Sequence, residues 1–216
     1  MIDTDFILPI SLMMLQGILG AIDTIYYHEY RYRLPAYAKE ARSELRLHGW
    51  RDLIYGILFI SLPRFQWQGY WAWLLALLLI AEILITLVDF VIERDVRRPW
   101  GGLAAGELCM HAVMAILYGA FLITFSPHWL DWNQGQTQFS PHQIALPEGI
   151  IGLMTLMGIG VSTAGIRDLL LSATWLSPSL HHALAFPWSR THQPPLIVPS
   201  PTTKHHDPIS NDKGDA

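Results

Sequence analysis

The sequence predicts an all-α integral membrane protein, a helical bundle with about five transmembrane helices. Hydrophobic residues make up 51% of the 216 residues and charged residues only 15%, whereas a typical soluble domain has about 25% charged residues. The apolar residues are also gathered in long blocks. The net charge of −4 provides no basic surface for nucleic acid, so we expect no nucleic-acid partner. Cys109 is the only cysteine, which excludes an intrachain disulfide and a cysteine metal cluster.

Five apolar blocks are long enough, or nearly so, to cross about 30 Å of hydrocarbon. The first block has an acidic start and no basic segment before it, so we expect a retained helix and not a signal peptide. The second block is apolar only in its second half, and we expect it to begin outside the bilayer or against other helices. The predicted helices are 6–30, 36–62, 70–96, 102–125 and 147–171.

The distribution of lysine and arginine predicts the orientation. Basic residues follow the first and third helices, whereas the loops on the opposite side contain only Arg64. We therefore expect an inner (plasma) membrane protein with its N-terminus outside and its C-terminus in the cytoplasm. Residues 1–172 are predicted to form the transmembrane domain and residues 173–216 a cytoplasmic tail. Within the tail, 177–188 is expected on the membrane surface, and the chain from 193 on is expected to be disordered.

An internal repeat is the most informative pattern in the sequence. Several residues of the second block recur in the fourth at a constant offset of 63, and an aspartate of the first block recurs in the third at an offset of 66. The matched residues are Glu44 and Glu107, His48 and His111, Tyr55 and Tyr118, and Asp23 and Asp89. Hairpins 6–62 and 70–125 are therefore predicted to be tandem repeats that form a four-helix bundle.

The repeat predicts a layer of charged side chains near the cytoplasmic boundary. A rise of about 1.5 Å per residue puts one carboxylate of each of the four helices, and both repeated histidines, at similar depth. Each repeated glutamate shares a helix face with its histidine, because the two are four residues apart. The arginines nearby are expected to lie toward the loops, in water. A pair of divalent cations, iron or manganese, would then neutralise the layer. The expected metal ligands are Asp23, Glu44, His48, Asp89, Glu107 and His111, with His28, Glu29, Glu93 and Asp95 as additional candidates.

This pattern resembles the ligand scheme of the ferritin-like di-metal carboxylate bundles. In that scheme two helices each provide a Glu, and two others each provide a Glu and a His from one short motif. Glu44 with His48 and Glu107 with His111 match the paired motifs, and Asp23 and Asp89 the single carboxylates. The resemblance implies a di-metal centre, of iron or of another divalent metal. The spacing here is i,i+4 where the family pattern is i,i+3, and the single carboxylates are Asp instead of Glu.

Four further residues are candidates for supporting the ligands or relaying protons. Asp52 lies one turn beyond His48, and Tyr55 and Tyr118 lie two turns beyond the repeated histidines. Glu82 falls near the bilayer middle, where carboxylates are rare and usually functional. Each of these residues has an equally simple interpretation as a packing or hydrogen-bonding group. The small residues of the fifth block predict close helix packing on the bundle or homo-oligomerisation.

Three functions compete. The first is a metal-dependent oxidoreductase with a di-iron centre, which acts on a lipid or other lipophilic substrate near the cytoplasmic face and takes electrons from an external donor protein. The second is a b-type cytochrome in which His48 and His111 bind haem b. The third is a small ion-coupled membrane transporter, which the repeats and Glu82 favour.

Overall fold

The computed structural model describes residues 4–142 and 146–185, and this part of the chain is mostly helical. The predicted all-α bundle agrees with it. Four helices among the described residues are long and apolar enough to cross a membrane. The second predicted span, 36–62, is not among these four, so a fifth span stays a prediction. The helices are α1 (Thr4–Asp23), α2 (Arg42–Ser61), α3 (Tyr70–Val96), α4 (Ala105–Asn133), α5 (Glu148–Leu171) and the short α6 (Pro178–Leu184).

The first predicted helix changes its geometry near its end. After Asp23 the chain continues as a π-helical segment, Thr24–Arg31, in which each N–H bonds to the carbonyl five residues back. Arg33 then adopts a left-handed conformation (φ 55°) before a 3₁₀ turn over Leu34–Tyr37. Because this turn takes up the residues after the π-helix, α2 begins at Arg42, six residues later than the predicted start.

A two-stranded antiparallel ribbon joins the two loops at the opposite end of the bundle. Strand β1 (Phe65–Gln68) pairs with β2 (Gln138–Pro141), with Phe65 opposite Pro141. Helix α4 reaches this ribbon because it continues through Pro127 to Asn133, beyond its predicted end at residue 125. Both strand segments were predicted to be loops, since four-residue strands leave little pattern in a sequence.

The outer surface of the bundle is apolar. Several leucines and isoleucines on four of the long helices are more than half exposed, which is unusual for a soluble protein. They include Leu77 at 60%, Ile116 at 72%, Ile123 at 75% and Leu156 at 67%. Together with the four helices that are long and apolar enough to span, this surface indicates a membrane protein. The identity of the membrane and the orientation stay predictions.

The bundle is assembled by pairing α1 with α4 and α2 with both α3 and α5. Helices α2 and α5 approach most closely at glycines, as the small residues of the fifth block predict. A Cβ atom placed on Gly49 would lie 2.8 Å from the carbonyl oxygen of Gly165 and 2.6 Å from Cγ of Leu169. The backbones of these two helices therefore touch where neither has a side chain.

Replacing Gly49 by alanine is expected to destabilise the protein, because the added methyl group collides with the backbone of α5. Overpacking of this kind costs about 1–3 kcal/mol, which outweighs the helix-propensity gain of about 1 kcal/mol. Gly152→Ala is the matched control, since a Cβ there meets nothing within 4 Å. Thermal unfolding in detergent should show a lower midpoint for Gly49→Ala and an unchanged or higher one for Gly152→Ala. Equal midpoints would contradict the close contact.

The described part of the predicted tail contains α6. This helix begins after Ser177, whose hydroxyl oxygen accepts a hydrogen bond from the backbone N–H of Leu180. It falls within the segment 177–188 that was predicted to lie on the membrane surface. The end of that segment and the stretch predicted to be disordered from residue 193 lie outside the described residues.

Candidate metal centre

Two buried histidine–aspartate pairs connect the helices crosswise. His48 Nε2 on α2 lies 2.9 Å from Asp89 Oδ2 on α3, and His111 Nε2 on α4 lies 3.2 Å from Asp23 Oδ2 on α1. All four side chains are at least nine-tenths buried. Each histidine therefore contacts the aspartate of the other predicted hairpin. The sequence repeat itself stays a prediction, but its matched histidines, aspartates and glutamates lie together in one layer.

His28 joins the second of these pairs because of the π-helical segment. Asp23 and His28 are five residues apart, which places them on one face of a π-helix but not of an α-helix. His28 Nε2 lies 3.4 Å from Asp23 Oδ2 and 3.6 Å from Glu107 Oε1. Asp23, His28, Glu107 and His111 thus form a buried group whose ligand atoms all lie within 4.8 Å of one another. We call it the four-residue group.

The spacing in the four-residue group suits a metal ion. Ligand bonds of about 2.0–2.2 Å in tetrahedral geometry set neighbouring ligand atoms about 3.3–3.6 Å apart. Three of the separations between these ligand atoms are 3.2, 3.4 and 3.6 Å. Most of these are longer than a good hydrogen bond, and Nε2 of His28 has no hydrogen-bond partner among the described residues. Two imidazoles and two carboxylates are ligands that iron, manganese and zinc accept.

A second group shares His28 and contains Glu44 and His48. The His28 and His48 rings are stacked, with centroids 4.5 Å apart and planes 9° from parallel. Glu44, however, is already engaged by a cation. Nε and Nη2 of Arg97 donate hydrogen bonds to both of its carboxylate oxygens, the shortest at 2.6 Å. The second group is therefore less available to a metal than the first.

Arg97 corrects the expectation that the nearby arginines lie in water. It is fully buried, and its Nη2 also lies 3.2 Å from Glu107 and 3.5 Å from Glu93. The ring of Tyr32 covers its guanidinium at 4.0 Å. Burial alone would lower the pKa of Arg97, but Glu44 and Glu107 raise it above its ordinary value, so the side chain stays charged. The i,i+4,i+8 spacing of Asp89, Glu93 and Arg97 could have revealed this shared face.

The layer contains more anionic than permanently cationic groups. Five buried carboxylates face two guanidinium groups, those of Arg97 and Arg51, and Arg51 lies 3.2 Å from Asp89. The remaining charge must be balanced by protons or by a cation, because uncompensated buried charges cost several kcal/mol. Among the described residues, several buried polar atoms here have no hydrogen-bond partner: Asp23 Oδ1, Asp89 Oδ1, Glu93 Oε2, Glu107 Oε2 and His111 Nδ1.

Two of the additional candidates lie outside the layer. Glu29 forms an ion pair with Arg167 of α5, which also contacts Asp168 at 2.9 Å. Asp95 is exposed and pairs with Arg98 at the surface, at 3.1 Å. Glu93 is inside the layer, since its Oε2 lies 3.5 Å from His111 Nδ1.

A cavity of about 560 Å³ opens beside the four-residue group. Asp23 and His111 form part of its wall, and residues of all five long helices complete it. Most of the wall is apolar, and small residues such as Gly20, Ala115 and Gly160 leave the space. This volume is typical of sites for small molecules. Asp52, predicted to support His48, also faces the cavity and lies against Gly165 of α5.

The other three predicted supporting residues lie farther along the cavity. Tyr55 Oη donates a hydrogen bond of 2.8 Å to Glu82 Oε1 and accepts one of 2.6 Å from Gln16 Nε2. Tyr118 Oη donates to the carbonyl oxygen of Leu79 at 3.2 Å. The hydroxyl groups of these tyrosines therefore bond away from the four-residue group, and Glu82 accepts hydrogen bonds from Tyr55 of α2 and from Thr86 of its own helix. Gln16 of α1 belongs to the same hydrogen-bond chain.

No family model, curated protein or solved structure matches this chain. Its function is therefore inferred from the geometry of the four-residue group and the cavity beside it.

Proposed function

We propose that this chain is a metal-dependent membrane oxidoreductase that acts on a lipophilic substrate in the cavity beside the four-residue group. One observation supports the proposal above the others: Asp23 and His111 belong both to the group of buried ligand-type residues and to the wall of a largely apolar cavity. A molecule in the cavity would therefore lie next to an ion held by these residues.

The geometry favours one divalent ion over the predicted pair. The four-residue group offers two imidazoles and two carboxylates, whereas the second group would need Glu44, which Arg97 binds. When bound there, a redox-active ion such as iron or manganese would supply the activation of dioxygen. The side chains of the layer would hold and orient the ion: Glu93 Oε2 lies 3.5 Å from Nδ1 of His111, on the side of the imidazole away from the four-residue group.

The proposed reaction is the oxygenation of a hydrocarbon group. The balanced equation is R–H + O₂ + 2e⁻ + 2H⁺ → R–OH + H₂O, in which an external donor protein supplies both electrons. The apolar wall would bind the hydrocarbon and exclude water. Protons would come from the buried acidic and histidine side chains of the layer. The basic residues that follow α1 and α3 favour a cytoplasmic position for this end of the bundle, from which an electron-donor protein of the cytoplasm would reach it.

The two alternatives have less support from the geometry. For haem b, Nε2 of His48 and of His111 would have to face the iron, but each points at an aspartate carboxylate. A proton-coupled carrier is favoured by one observation, the buried chain Gln16–Tyr55–Glu82 along the cavity. A Soret band in the purified protein would indicate haem. A proton flux in liposomes that is lost in Glu82→Gln would indicate a carrier.

The proposal is tested by the metal content and oxygen reactivity of protein purified without a histidine tag. We expect iron or manganese to be bound, and the reduced protein to consume dioxygen. His111→Ala should lose both properties, whereas the control His182→Ala, which changes an exposed histidine of α6, should keep both. Zinc alone would contradict the redox function but not the metal site. Metal at background level in both wild type and control would contradict the site itself.

A further inference from the structure

The amide of Gln16 is the least satisfied polar group along the cavity away from the four-residue group. Its side chain is 93% buried, lines the cavity, and its Oε1 has no hydrogen-bond partner among the described residues. A buried amide oxygen without a partner costs about 1–3 kcal/mol. This atom therefore marks a place where a ligand would form a hydrogen bond.

The neighbouring hydrogen bonds fix which end of the amide is free. Tyr55 Oη donates its single proton to Glu82 Oε1, so it can only accept from Gln16. Glu82 Oε1 also accepts from Thr86 Oγ1 at 3.0 Å. The NH₂ group of Gln16 must then face Tyr55, and its carbonyl oxygen is the atom left over. That oxygen can only accept, so the ligand must donate.

The cavity wall around Gln16 favours a hydroxyl group as the hydrogen-bond donor of the ligand. Besides Tyr55 and Glu82, whose hydrogen bonds are described above, the wall near Gln16 contains apolar groups, among them Gly17, Phe59 and Met157. An ammonium group would be costly to desolvate here, and an amide would bring a carbonyl oxygen that needs a donor of its own. A hydroxyl group on a hydrocarbon chain can donate a hydrogen bond to Gln16 Oε1 and brings the smallest polar surface that would stay unpaired.

We propose that the cavity binds a lipophilic alcohol whose hydroxyl group donates a hydrogen bond to Gln16 Oε1 while its chain extends toward the four-residue group. Gln16 and Asp23 are seven residues apart on α1, or about 10 Å along the helix. The hydroxyl group is thus an anchor, distant from the metal ligands. If the proposed oxygenase function holds, which this step assumes, the oxidised carbon lies about 10 Å along the chain from the anchoring hydroxyl.

The test compares two isomers that differ only in the donor. Protein in lipid nanodiscs is equilibrated with tritiated dodecan-1-ol, which is displaced by unlabelled dodecan-1-ol or by 1-methoxyundecane. The wild type should bind the alcohol about tenfold more tightly than the ether. Gln16→Leu should bind the two equally and keep the affinity for the ether, which also shows that it is folded. The control Gln134→Leu, at an exposed position beyond α4, should keep the preference.

The outcomes separate this inference from the proposed function. Equal binding of alcohol and ether by the wild type, or no saturable binding of either, overturns the inference even if metal is present. A preference for the alcohol that survives Gln16→Leu overturns the role of Gln16. The binding assay needs no metal, so its result is independent of the metal content. A tenfold preference for the alcohol in protein that holds no metal would support the inference and contradict the oxidoreductase.

Discussion

Replacing Arg97 by methionine is expected to lower the free energy of unfolding by about 3–5 kcal/mol, because it leaves buried carboxylates without their cation. The guanidinium contacts Glu44, Glu93 and Glu107, and none of these side chains is open to water. Methionine fills a similar volume, so the decrease in the free energy of unfolding reflects the lost charge more than lost packing. The measurement is a denaturant titration of the purified protein in detergent micelles.

The neighbouring arginine provides the matched control. Arg98→Met removes an arginine that is 77% exposed and pairs with Asp95 at the surface, and exposed pairs of this kind contribute about 0–1 kcal/mol. Arg97→Lys should fall between the two, because an ammonium keeps the charge but cannot reproduce the forked contact with Glu44. Added Mn²⁺ should restore part of the stability of Arg97→Met by binding the freed carboxylates. If Arg97→Met and Arg98→Met unfold alike, the carboxylates are neutralised by protons and not by Arg97.

His28→Ala is expected to abolish metal binding, whereas His48→Ala should leave one ion per chain. His28 is a member of the four-residue group, in which it contacts both Asp23 and Glu107, and His48 lies outside that group. Loss of a ligand with such contacts should weaken binding at least as much as the 10- to 100-fold typical of residues that only orient ligands. Equilibrium dialysis against Mn²⁺ or Fe²⁺ under anaerobic conditions gives both the affinity and the number of ions bound.

The number of ions also decides between one metal and two. Two ions in the wild type, falling to one in His48→Ala, would restore the di-metal centre that the sequence pattern implies and would require Arg97 to release Glu44. One ion that survives His28→Ala would show that His28 is not a ligand. Glu29→Ala is a control on the same π-helical segment, because Glu29 pairs with Arg167 and not with the four-residue group.

The long helices, and the common level at which their charged residues lie, could be predicted from the sequence because they follow from hydropathy and from the constant rise of an α-helix. Helix α3 matches its predicted bounds, and α5 differs by one residue at its start. The i,i+4 spacing of Glu44 with His48 correctly indicated a shared face. These features depend only on residues that are close together in the sequence, so one sequence is enough to predict them.

The features that the sequence did not reveal depend on contacts between distant segments. Nothing in residues 24–31 distinguishes a π-helix from an α-helix, yet that change of geometry moves His28 onto the face of Asp23. The burial of Arg97 depends on where α2 and α4 place Glu44 and Glu107. Exposed Asp95 and buried Glu93 differ by half a turn of α3, and neither residue type nor depth separates them.

The crosswise pairing of the histidines and aspartates has a consequence for biogenesis. The first hairpin is synthesised and reaches the bilayer first, when Asp89 and His111, the partners of His48 and Asp23, have not yet been translated. Its ionisable groups must then stay hydrated at the interface until the second hairpin arrives. We therefore expect both halves to bury these groups jointly, once the second half has been synthesised.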